Sequence, residues 1–312
     1  MTSSTGDSGA AADDRRRRLA LAATAIVVSI WGLQFVMIRL AVTTSLTATD
    51  VTLLRYIFAL PVMIPILWRY GWRNGAGLGW RKAIILTLCG GAPMLMLSNI
   101  GLQFAPASHA ACLQPGTVAV LSTLFLMMTS ATRGTWLIPA GLAISVLGLA
   151  IVTLGGANAG AAASLTPLGD ALFMASGLLW TIYTVLLVRW KASPLVMTAV
   201  SAVASIPLMP LFGLFLPMNI LSAPVADLLL HGLFQGVVNY AIAFLLWAYA
   251  ARVLGAVQMG YVAPLIPVFG VLFAIPILGE WPAHIQWLGI AAAVCGLGLI
   301  ALAQKTPAHS VG

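Results

Sequence analysis

Arg252-Val-Leu-Gly-Ala-Val-Gln-Met-Gly-Tyr-Val-Ala-Pro-Leu-Ile-Pro-Val-Phe-Gly270 decides the fold, and it runs on through Glu280 to Leu302. It reads as two apolar spans joined by a polar hinge at Gly279-Glu280-Trp281-Pro282. An earlier copy lies about 149 residues upstream. Gly141 to Leu154 aligns with Gly289 to Leu302, setting glycine on glycine at 141/289 and 148/296. A shift of 149 lays Trp31 on Trp180, Pro61 on Pro210, Ala107 on Ala256 and Pro115 on Pro264. The chain is therefore a duplication, and each half is informative about the other.

Working outward, 61% of the 312 residues are hydrophobic and 7% charged, against about 25% charged in a soluble domain. Apolar runs of some 20 residues recur, each long enough to cross roughly 30 Å of hydrocarbon. Lipid offers backbone groups no partners, so such runs are helices. The prediction is an all-α integral membrane protein with ten spans, near 19–41, 48–68, 82–104, 107–129, 135–155, 168–190, 194–216, 225–251, 254–278 and 284–303. Residues 1–18 and 304–312 are expected as tails, the first disordered; 19–155 and 168–303 are the two repeats. The seventh span carries Pro207, Pro210 and Pro217 and is the weakest.

The net charge of +8 does not indicate nucleic acid, because the basic residues sit at span ends rather than on one face. With the N-terminus inside, 13 of the 15 basic residues fall in cytoplasmic segments, leaving Arg39 and Arg55 near the outer side. That bias places both termini in the cytoplasm. Five spans per repeat is an odd number, so the second repeat enters the membrane inverted. Such pairs form transporters whose site lies near the midplane, between the halves. Cys89, Cys112 and Cys295 offer neither a disulfide framework nor metal spacing.

Pro264-x-x-Pro267-Val-Phe, Leu278-Gly279-Glu280, Gly289 and Gly296 together resemble the ten-helix EamA type of the drug/metabolite transporter superfamily. The likeness covers both repeats, although Ala131-Thr132-Arg133 stands where the first would place its Gly-Glu pair. Within that family the chain looks most like the YddG-type exporters of aromatic and other amino acids. The resemblance implies a protein of the bacterial inner membrane that moves amino acids outward.

The residues suggest where such a solute would sit. Asp227, His231, Gln235 and Asn239 recur every four positions in the eighth span. Polar groups need protein or water opposite them, so Gln235 and Asn239 read as a cavity wall, or as hydrogen bonds between helices. Asp227 and His231 are expected to be solvated near the interface. Asn99 and Gln103 repeat the spacing below Gly90-Gly91-Ala-Pro93, where the helix is expected to open or kink. Gln114 precedes Pro115, the counterpart of Ala263-Pro264. Corresponding prolines make Pro115 and Pro264 candidate hinges, joined by Pro93 at the Gly-Gly break and by Pro267. Trp31 and Trp180 stand mid-span in both repeats, an unusual depth for tryptophan, and suit the wall of a pocket. Tyr183, Tyr240 and Tyr261 extend that wall or pack the core. Trp68, Trp72, Trp80 and Trp190 read as an interfacial belt.

Arg55 is the deepest charge, either paired with Asp50 or snorkelling. With no Asp, Glu or Lys at the centre of any span, the cavity is expected to be uncharged, and facilitated diffusion is the simplest drive. No cofactor, metal ion or ATP-binding loop is indicated; Gly75 to Gly79 lacks the Gly-Lys-Ser/Thr ending. Paired carboxylates or a Ser/His set for an integral-membrane enzyme are missing. The reading is a secondary exporter of small zwitterionic solutes, amino acids first, working by alternating access. The alternatives are another small neutral or amphipathic metabolite or drug, a passive pore, or a lipid flippase. Small residues at Gly141-x-x-x-Ser145 and Ala292-x-x-x-Gly296 predict tight packing, within the chain or between subunits.

Overall fold

The computed structural model describes residues 4–70, 74–129, 136–155, 165–255, 259 and 264–303, with backbone only for 4–12 and 76. Every long element in these segments is helical. The elements of the first repeat are α1 (Ser4–Thr44), α2 (Ala48–Tyr70), α3 (Trp80–Gly90), α4 (Ala92–Phe104), α5 (Ala107–Thr129) and α6 (Leu137–Gly155). Those of the second are α7 (Thr166–Arg189), α8 (Pro194–Ser205), α9 (Leu208–Phe215), α10 (Val225–Gly232), α11 (Ala243–Leu254), α12 (Leu265–Leu278) and α13 (His284–Ala303). A π-helical segment, Leu233–Ile242, joins α10 to α11 without a break.

Eight of these segments are long and apolar enough to cross a membrane: α1 from Asp13, α2, α3 with α4, α5 to Met128, α6, α7, α10 through α11, and α13. The expected seventh span is instead a pair, α8 and α9, bent by 51°. Pro207 explains the bend, since its ring and missing N–H cannot continue the ladder of α8. Among the described residues, the expected ninth span contributes the 14-residue helix α12. Residues 256–258 and 260–263, which include Tyr261, lie outside the described residues, as do Trp72, Arg73, Ala131 to Arg133 and Lys305.

At the amino end the described helix runs from Ser4 unbroken into the first span. Alanine and arginine are strong helix formers, and Asp14 meets Arg18 one turn on at 2.7 Å.

Packing follows the duplication. In the first repeat α1 lies along α11 and α12; its counterpart α7 lies along α4 and α5. The last helices of the two repeats, α6 and α13, pack along one another. A Cβ on Gly141 would fall 2.7 Å from the Gly296 carbonyl oxygen, and one on Gly148 would fall 2.6 Å from that of Gly289. Ascending numbers on one helix meet descending numbers on the other, so the pair is antiparallel. Equivalent elements of the two repeats thus run in opposite directions, and the small-residue stripes are spent within the chain.

One end of the bundle is tied by polar contacts. Arg39 Nε donates to Glu280 Oε1 at 2.9 Å, while Glu280 Oε2 accepts from the Ala107 N–H at 2.8 Å. The Gly-Glu pair after α12 therefore caps the start of α5, satisfying a donor that the helix itself leaves open. Asp50 accepts from Thr47 and from the backbone N–H groups of Asn219 and Ile220. Ser45 Oγ bonds Asp227 at 2.6 Å.

Candidate substrate site

The four-residue spacing in the eighth span has a structural consequence. A strict step of four overshoots the 3.6-residue turn, so a polar stripe would drift around a pure α-helix. Across Leu233–Ile242 the turn widens, and the Ala243 N–H donates five residues back to the Val238 carbonyl. Widening cancels the drift and keeps Gln235 and Asn239 on one face. Such segments recur at functional sites.

That face meets the first repeat. Asn239 Nδ2 donates to Gln34 Oε1 at 2.9 Å and to Gln235 Oε1 at 3.0 Å. Gln235 Nε2 reaches the Gln34 carbonyl at 3.3 Å. Arg55 Nη2 donates to Gln34 Oε1 at 3.2 Å and also to Gln235 Oε1. Gln235 and Asn239 are fully buried, and Arg55 is 5% exposed. Gly236 lets the π segment sit directly on α2, for a Cβ there would lie 2.7 Å from the Arg55 carbonyl oxygen.

This corner corrects the expectation of an uncharged cavity. Arg55 neither snorkels nor pairs with Asp50, whose oxygens are taken by Thr47, Asn219 and Ile220. Its guanidinium turns inward because α2 packs on the π segment and two amide oxygens are there to receive it. Arginine stays charged, so a full positive charge sits among three amides.

An aromatic row starts beside the corner. Tyr56 meets Tyr240 edge-on at 5.6 Å, Tyr240 meets Phe244 at 5.8 Å, and Trp31 lies 5.8 Å from Phe244 and 4.8 Å from Trp247. Tyr240 also anchors the row, donating its hydroxyl to the Thr198 carbonyl at 2.9 Å. Trp180 belongs to a separate pair with Tyr183, ring centres 4.9 Å apart. Tyr183 fills the notch left by Gly90, where a Cβ would come within 2.5 Å of its ring.

The remaining candidates divide between hinge and helix contact. The helix is interrupted at Gly91, and Ser205 Oγ accepts the freed Ala92 N–H at 3.1 Å. Pro93 stands in the first turn after that break, where proline costs no hydrogen bond. Pro115 lies inside α5, Pro264 caps α12, and Pro267 sits in its first turn. Gln114 bridges α4 and α7, accepting from Ser98 at 3.1 Å and donating to Ser176 at 2.9 Å. Asn99 is buried and donates to Thr52 at 2.8 Å, apart from the Arg55 corner, and its carbonyl oxygen has no partner among the described residues.

Three titratable groups, His231, His109 and Asp170, are buried. His231 is 2% exposed rather than solvated. His109 Nδ1 lies 2.8 Å from Asp170 Oδ1, and its Nε2 lies 2.7 Å from Gln286 Nε2. Gln286 further donates to the Val152 carbonyl at 3.2 Å, which fixes its amide and makes His109 Nε2 the acceptor. The chain Asp170–His109–Gln286 thus stitches α7, α5 and α13 together. Among the described residues no group of three His, Cys, Asp or Glu could hold a metal ion.

The model of the EamA-like transporter family matches twice, over residues 18–154 and 167–302. The chain belongs to that family. Both EamA repeats are present, so this is a multi-pass membrane transporter of small molecules. An uncharacterized transporter from Archaeoglobus fulgidus is 24% identical over 287 residues, covering 90% of this chain and 96% of the relative. A solved crystal structure shares the fold with a TM-score of 0.57 at 21% identity, over 93% of this chain and all of that one. In this EamA chain the polar corner draws Gln34 and Arg55 from the first repeat, Gln235 and Asn239 from the second.

Proposed function

We propose that this EamA protein is a secondary exporter of small zwitterionic metabolites, amino acids first, working by alternating access in the bacterial inner membrane. The observation that carries the reading is the corner shared between repeats. A solute held by Gln34, Gln235 and Asn239 touches both halves at once, so its binding is felt by the interface that must change when the halves rock. The adjoining row of Tyr56, Tyr240, Phe244 and Trp31 supplies a flat apolar wall for a side chain. In this proposal Trp180 and Tyr183 extend the wall from the second repeat, and Gln114 and Asn99 serve the site from the first. Pro93, Pro115, Pro264 and Pro267 are its hinges.

The topology in this proposal is ten spans with both termini in the cytoplasm. The segment 254–278 is the ninth span, and α8 with α9 the seventh. The polar end joined by Arg39 and Glu280 then faces outward, while Arg69, Arg81, Lys82, Arg189 and Arg252 face the cytoplasm, as the positive-inside bias favours.

The test is flux. Proteoliposomes containing the purified chain are expected to release preloaded threonine, methionine and phenylalanine faster than vesicles without protein. Release of all three at the rate of empty vesicles would remove the reading.

A further inference from the structure

Among the described residues Arg55 is bonded through one nitrogen, Nη2. Nη2 serves both Gln34 and Gln235, whereas Nε is buried and has no partner among the described residues. No acidic side chain pairs with the guanidinium among those residues. A buried cation without a counter-ion is costly, and amide oxygens offset only part of that cost. The missing complement is an anion. Resting on the export reading above, we propose that Arg55 binds the carboxylate of the transported solute, so that a carboxylate is the obligatory feature of every substrate.

Geometry makes the match specific. The Nε–H and one Nη2–H lie on the same edge of the guanidinium and form the fork that a carboxylate takes with two parallel hydrogen bonds. Nη2 is already engaged, so the incoming carboxylate replaces one of the amide oxygens of Gln34 or Gln235. Both amides belong to the contact between α1, α2 and the π segment. Displacement of Gln235, the amide of the second repeat, loosens a bond between the repeats and so couples binding to their rearrangement. A single guanidinium complements one negative charge, and the neighbouring face is aromatic rather than cationic. A monocarboxylate fits that balance; a phosphate dianion leaves one charge uncompensated. The solute's ammonium is left to the amide oxygen that the carboxylate displaces.

The experiment is counterflow of radiolabelled phenylalanine in proteoliposomes, with 3-phenylpropionate and 2-phenylethylamine as competitors. The acid is expected to inhibit and the amine to have no effect at about tenfold higher concentration. Arg55→Gln is expected to lose flux by about tenfold or more, and Arg55→Lys to keep part of it with a raised half-saturation. Equal competition by the amine, or undiminished counterflow in Arg55→Gln, overturns the proposal and leaves amino-acid export standing. Thermal melting of the detergent-purified wild type covers the case in which Arg55→Gln does not fold. Stabilisation by the acid alone upholds the proposal, and equal stabilisation by the amine overturns it. Should the wild type move no amino acid, stabilisation by 3-phenylpropionate that Arg55→Lys weakens still upholds the carboxylate site while the export reading falls.

Discussion

Gly148 and Gly289 face one another across the antiparallel pair α6 and α13, each so close that a Cβ would come within 3 Å of the other's carbonyl oxygen. In lipid there is no hydrophobic force to hold two helices together, so close approach and dispersion carry the contact. Leucine at either position must push the backbones apart. Gly148→Leu and Gly289→Leu should each cost about 1–3 kcal/mol and lower the melting temperature in detergent. Gly298→Ala, on the same helix but open on its outer side, should melt like the wild type.

Asn239 donates to both Gln34 and Gln235. In Asn239→Leu those donations are lost and Arg55 becomes the main partner of both amide oxygens. Flux of phenylalanine should fall about tenfold, the equivalent of ~1.4 kcal/mol. Trp68→Ala, at the exposed end of α2, is the control that should leave flux unchanged.

Trp180 leans on Tyr183, which in turn fills the Gly90 notch. Trp180→Ala removes wall area and lets Tyr183 shift. Phenylalanine flux should drop more than threonine flux, measured in the same vesicles. Equal loss of both would assign Trp180 to packing alone.

Arg39 and Glu280 are about one-fifth exposed, so solvent screens part of their attraction. A double-mutant cycle of Arg39→Gln and Glu280→Gln should give a coupling of about 1 kcal/mol by thermal unfolding. Glu280→Gln alone should cost more than the coupling, because the Ala107 N–H loses its charged acceptor.

Trp68 and Trp281 are 81% and 72% exposed, at opposite ends of the bundle. With the three native cysteines replaced, Trp68→Cys should react with impermeant maleimide only from the cytoplasmic face and Trp281→Cys only from the other. Labelling of both from one side would refute the proposed topology.

Much of this architecture is visible in the sequence, for identifiable reasons. Runs of apolar residues declare helices in lipid, and the glycines at 141, 148, 289 and 296 mark both the duplication and the seam where its halves meet. The stripe through Gln235 and Asn239 is equally plain, because an amide in an apolar span needs a partner. Less legible is what that partner is. Gln34 is a lone amide three residues past Trp31 and needs a partner as Gln235 does, but one residue makes no periodicity. Arg55 reads as a snorkelling charge until α2 is packed on the π segment, since periodicity says which residues share a face and not what the face meets. The widened turn is similarly hidden. A spacing of four is compatible with an ordinary helix; bonds such as that from Ala243 to Val238 distinguish the two.

That widened turn sets a phase relation along the whole helix. Within it Gln235 and Asn239 address the corner, and downstream Phe244 and Trp247 address Trp31. Deleting Ala241 would let the coil tighten instead of breaking it, and each residue beyond would rotate by about 100°. The amide contacts would survive while the two rings swung off Trp31. The segment from 233 to 242 thus acts as a gear offset, meshing one rod with two differently spaced sets of teeth.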